Sequence, residues 1–112
     1  MELSIDMVAM DTALAKLDGA VDGIPTKTEK NKLARVRLAQ QIKTFTEFAN
    51  AGDVSDDGAT IRINVDFETL DDQGATFIRT VKDDVDVPIA VKADVALAVM
   101  ALANVLRQAK LS

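Results

Sequence analysis

From Leu3 onward the apolar residues fall at Leu3, Met7, Met10, Leu14, Leu17, Val21 and Ile24, alternating steps of four and three that mark one seam of a helix. Gly19, Gly23 and Pro25 interrupt the last third of that pattern, so a helix is predicted over roughly Leu3 to Gly19 with a turn after it. Beyond Pro25, Thr26 or Thr28 can cap a second helix, with Glu29 in its first turn, running to Ala51 before Gly52 stops it. Ala34, Leu38, Gln41, Ile42, Phe45, Phe48 and Ala49 share one face of that helix, and the two helices are expected to form an antiparallel hairpin. Two short amphipathic helices cannot bury both apolar faces alone, so another layer must cover them.

The pattern then changes to period two. Ile61, Ile63, Val65 and Phe67 alternate with Arg62, Asn64 and Asp66, which predicts a half-buried strand. Asp71-Asp72-Gln73-Gly74 reads as a turn, and Thr76 to Val81, dense in β-branched residues and Phe77, as a second strand. The competing reading is a helix from Thr69 to Lys82, in which Gly74 would cost ~1 kcal/mol. Val85, Val87, Ile89 and Val91 alternate again with Pro88 on the opposite phase, so a third strand is placed at an edge, where a missing N–H is tolerated. From Lys92 a last helix carries Val95, Val99, Leu102 and Leu106 among alanines, with Arg107 and Lys110 in its last turn. It is apolar almost all round, which predicts a central helix or one packed on two sides. The expected architecture is a single α+β domain over residues 1–112. It comprises an N-terminal helical hairpin, a three-stranded antiparallel β-meander and a C-terminal apolar helix packed on the sheet. A parallel βαβ unit is the alternative if the middle segment is helical.

Composition bears mainly on chemistry. With 112 residues, 48% apolar and 28% charged, the chain fits one soluble globular domain. It has no His, Cys, Tyr or Trp, which removes the commonest general base, thiol nucleophiles, disulfides and the usual nitrogen and sulfur metal ligands. An enzyme is not expected, and no cofactor is. The first residues carry acids where a secretory signal carries bases, so export by that route is not expected and a cytoplasmic location is the default. The longest unbroken apolar run, Val95 to Ala103, is shorter than the ~20 residues that span a bilayer, so no membrane association is expected.

Asp53, Ser55 and Asp57, followed by Gly58, match the first half of a calcium loop. Asn64 stands where the bidentate carboxylate belongs, so this is a weak metal candidate beside the plainer reading of an acidic turn. Lys27, Lys30, Lys32, Arg35, Arg37 and Lys43 make the second helix basic, but the net charge of −5 and the lack of stacking aromatics argue for a solvated face, and no direct nucleic-acid binding is expected.

Two kinds of contact surface remain. One is the pair of helical seams, Leu3, Met7, Met10, Leu14 and Leu17 in the first helix and Val95, Val99, Leu102 and Leu106 in the last. These can pack within the chain or across a dimer axis. The other is the acidic set Asp53, Asp56, Asp57, Asp66, Glu68, Asp71, Asp72, Asp83, Asp84 and Asp86, opposed between residues 53 and 86 only by Arg62, Arg79 and Lys82. Such spaced carboxylates can imitate nucleic-acid phosphates and block a basic partner, or simply keep edges and loops soluble. The favoured function is a non-enzymatic protein–protein interaction or assembly module, homo-oligomeric through its amphipathic helices; the alternative is an acidic inhibitor or nucleic-acid mimic. Small chains without a catalytic set are frequent among viral and mobile-element accessory proteins, an origin suggested by type alone.

Overall fold

The computed structural model describes residues 1–111, with side chains through Ala109. The chain opens on a strand, β1 (Glu2–Asp6), and not on a helix. Leu3 and Ile5 point inward while Glu2 and Asp6 face out, the alternation a half-buried strand requires. The helix α1 (Met7–Gly19) starts only where the Asp6 carboxylate accepts the Ala9 N–H as a side-chain cap. Leu3 therefore belongs to the sheet: its place in the four-three pattern is shared with a period of two, and pairing with a distant strand decided between them.

A 3₁₀ turn (Ala20–Gly23) leads to α2 (Glu29–Phe45), capped by the Thr28 hydroxyl, which accepts the Asn31 N–H. This helix stops earlier than the expected Ala51. The Thr46 hydroxyl donates to the Ile42 carbonyl, and the backbone tightens into a second 3₁₀ turn (Glu47–Ala51). Then β2 (Asp53–Val54) and β3 (Thr60–Asn64) form a hairpin closed by Gly58 at φ +73°, a conformation that favours glycine. The expected strand from Ile61 is thus present, but it ends before Phe67.

The largest correction concerns residues 67–83: the favoured turn and strand are absent, and the competing helix from Thr69 to Lys82 is the reading that holds, as α3 (Phe67–Asp83). The Asp66 carboxylate starts it by accepting the Glu68 N–H and the Thr69 hydroxyl. Leu70, Gly74, Phe77 and Val81 then fall on a single buried stripe, so the helical period was present beneath the β-branched composition. The supposed turn glycine is a contact residue. A Cβ on Gly74 would lie 3.6 Å from the Phe45 ring and 3.7 Å from Val99.

The expected edge strand Val85–Val91 is also absent. Residues 85–87 form a turn in which the Val87 N–H donates to the Asp84 carbonyl at 3.2 Å, and α4 (Ile89–Arg107) begins after Pro88, whose fixed φ suits a helix entry. Val85 and Ile89 are exposed while Val87 and Val91 are buried, so these four do not share a face. Arg107 closes α4, whereas Lys110 lies past it in a two-residue strand, β4 (Lys110–Leu111).

The fold is α+β with an antiparallel sheet, but the sheet is neither a meander nor part of a βαβ unit. The order is β2-β3-β1, with β4 on the other side of β1. Leu3 pairs with Ile63 and Ile5 with Ile61, and these four side chains form the sheet's buried face. The helices pack in series: α1 lies mainly on α4, α3 on both α4 and α2, and α2 mainly on α3. The first two helices touch, but each has its main partner elsewhere. α4 reaches the sheet at β1 and rests chiefly on α1, α3 and the first 3₁₀ turn. The chain is elongated, 46 × 28 × 19 Å, with a radius of gyration of 14.8 Å against ~13 Å for a compact domain of this length.

Candidate functional site

The helical seams go into the core. Leu3, Met10, Leu17, Val95, Val99, Leu102 and Leu106 are buried, and Met7 and Leu14 are partly buried against them, so these side chains are engaged within the chain. The apolar surface left to solvent lies elsewhere, on the opposite face of α4. Ile89, Ala93, Leu97 and Met100 follow one another at steps of four, four and three, and all are exposed. Ile89 is 84% accessible, Leu97 60% and Met100 59%, and Val85 just upstream reaches 91%. Ala90, Ala96 and Ala101 flank the stripe, so among residues 89–101 only Lys92 and Asp94 are charged. Lys92 is turned back to the fold, where its ammonium donates to the Lys82 carbonyl at 2.6 Å.

This face continues into a hollow of about 220 Å³ between α3 and α4, floored by Leu70, Gly74 and Val99, with Met100 and Ala103 on one wall and Ala75 and Ile78 on the other. α4 is also long and apolar enough to cross a membrane by length and composition, with 33% of its most apolar stretch buried. Six of its residues nevertheless belong to the core.

The acidic residues do not form one patch. Asp53, Asp56 and Asp57 lie at the β2–β3 hairpin, Asp66 and Glu68 at the start of α3, and Asp83, Asp84 and Asp86 at its far end. A helix of 17 residues spans about 25 Å between the last two groups. Several of these carboxylates have work within the chain. Asp84 binds the Arg37 guanidinium through both oxygens at 2.9–3.1 Å, with Asp86 joining at 3.4 Å. The hydrogen bond to Asp84 is the main reason that the Arg37 pKa is raised. Asp71 pairs with Arg107 at 2.6 Å, and that guanidinium also lies 5.0 Å over the Phe67 ring. Three of the ten carboxylates, Asp71, Asp84 and Asp86, are thus ion-paired within the chain.

The weak metal candidate is a hydrogen-bonded turn. The Ser55 hydroxyl donates to Asp57 at 2.6 Å and the Ala59 N–H to the same oxygen at 3.0 Å, which together hold the Asp57 carboxyl below its ordinary pKa. Asp53 lies in β2, opposite Arg62. Among the described residues no group of three or more acidic side chains is arranged to hold a metal ion.

Sequence reasoning did not find the groove between α2 and α3, a cleft of about 530 Å³. Phe45 and Phe77 stack at its base, with ring centroids 5.2 Å apart and planes within 7°. Gln40, Gln41 and Thr44 rise on one side and Gln73, Thr76 and Thr80 on the other, with the Arg37–Asp84 clamp at one end and Asp72 at the opposite end. The i, i+4 spacing of glutamines and threonines beside Phe45 was visible in α2, but the opposite wall required α3 to be recognised as a helix. The chain matches no family model, no curated protein and no solved structure, so its own geometry is what bears on function.

Proposed function

We propose that this chain is a non-enzymatic protein–protein interaction module that assembles with a second copy of itself through the outward face of α4. The exposed stripe Ile89–Ala93–Leu97–Met100 carries this reading. An exposed apolar surface of this continuity marks a contact site.

The apolar stripe itself favours an antiparallel pair: a two-fold axis near residues 94–95 sets Ile89 of one copy against Met100 of the other, brings Ala93 beside Leu97, and opposes the helix dipoles. In that register the second copy's Ile89 meets Met100 beside the hollow between α3 and α4, which supplies a hole for that knob. The alanines Ala90, Ala93 and Ala96 permit close approach. An anionic membrane is disfavoured as the occupant by the net charge of −5.

The test is oligomeric state by light scattering across a dilution series. The wild-type chain is expected to dimerise, and Leu97→Glu with Met100→Glu is expected to be monomeric with its helix content unchanged. A wild-type monomer at ~100 μM, well above a micromolar dissociation constant, would overturn the proposal. So would a dimer that persists in the double variant, or co-flotation of the wild type with neutral lipid vesicles in place of self-association.

A further inference from the structure

We infer that the α2–α3 groove is a binding site for a small organic ammonium compound with an apolar body. This inference is independent of the assembly face. The cleft of about 530 Å³ lies within the ~300–1,000 Å³ range of small-molecule sites. Asp72 and Thr80, near its two ends, are eight residues apart on α3, which corresponds to about 12 Å. Its base is the stacked pair Phe45 and Phe77, which suits an aryl or alkyl group.

The walls are uncharged. Gln40, Gln41, Thr44, Gln73 and Thr76 make no side-chain hydrogen bond within the described residues, so their carbonyl and hydroxyl oxygens are free to accept from a ligand N–H. Charge then selects the sign of the ligand. Arg37 is held by Asp84 and Asp86 together, and Asp72 at the other end has no cationic partner. The lining thus holds one cation, Arg37, already offset by the two carboxylates behind it, and one carboxylate without a cationic partner, Asp72, which attracts an ammonium and repels a carboxylate or phosphate. An ammonium group at Asp72 with its body over the Phe45–Phe77 base uses all three features.

The probe is tryptamine, compared with tryptophol, in which a hydroxyl replaces the ammonium, by amide shifts in ¹⁵N-labelled full-length chain. Tryptamine is expected to produce saturable shifts at residues 37–45 and 72–80. Its affinity should exceed that of tryptophol by about fivefold at low salt, the size of one solvent-exposed charge pair. Asp72→Asn lies at an exposed site and should leave the melting temperature unchanged while removing that preference. Absence of saturable shifts in these two segments at ~10 mM tryptamine, beyond the weak millimolar range, overturns the inference. Equal affinities for the two probes, or a preference that survives Asp72→Asn, do the same.

Discussion

The helices α3 and α4 lie side by side in the fold and treat water in opposite ways. α3 buries Leu70, Gly74, Phe77 and Val81, keeps Phe67 and Ile78 partly buried, and apart from Ala75 exposes only acids, amides, hydroxyls and basic residues. Its outer face is complete in water. α4 buries six residues from Val91 to Leu106 and still presents Ile89, Leu97 and Met100 on the far side. Composition alone makes α4 the more hydrophobic core element, yet it is the one with an uncovered face. Burial of one side of a helix does not account for apolar residues on the other, and that asymmetry is what motivates the proposed assembly face.

Substitutions on the two sides of α4 test that contrast most strongly. Leu102→Ala removes a side chain that is 1% exposed and should cost ~2–5 kcal/mol in urea unfolding at any protein concentration. Leu97→Ala should stay within ~0.5 kcal/mol in dilute solution and become destabilising only as concentration rises, because its effect acts through the dimer. If Leu97→Ala costs as much as Leu102→Ala at every concentration, the outer face is structural and the contrast fails.

The effect in α3 should be smaller and of opposite sign. Gly74→Ala places its new Cβ at ordinary contact distance from Phe45 and Val99, so the gain in helix propensity should raise stability by up to ~1 kcal/mol. Destabilisation would show that the α2–α3–α4 contact has no room for a methyl group. The finest test is the cap that begins α3. The Asp66 carboxyl has its pKa lowered chiefly by the Thr69 hydroxyl, with backbone N–H groups adding to it. Because the folded pKa lies below the unfolded one, the stabilisation is fully present above the ordinary Asp value and is lost as pH falls through the folded value. Thermal melts of Asp66→Ala should therefore lie below wild type at neutral pH and converge with it in acid. A gap independent of pH would assign the effect to something other than the ionised cap.

These particulars also show what could be read from the chain. The strand at Ile61–Ile63, the second helix and the last helix were legible because each carries a periodic pattern that its own burial enforces. For α3 the strand was favoured over the competing helix because Thr76, Ile78, Thr80 and Val81 have strand-like shapes. The stripe Leu70–Phe77–Val81 is interrupted by Gly74, whose role depends on a ring from α2. The seams of α1 and α4, which offered themselves as contact faces, lie in the core: they were strong patterns, and strong patterns are what a core uses.

Local sequence determined where helices can start, through Asp6, Thr28 and Asp66 as caps and Pro88 as an entry point, and it determined how much apolar surface had to be covered. Tertiary structure alone decided that Leu3 and Ile5 form a strand, because their partners Ile63 and Ile61 lie nearly sixty residues away and no local signal encodes the pairing. It likewise decided which side of α4 met the core. An apolar helix has no preferred face until neighbours take one, and the face left over here is the one turned to solvent.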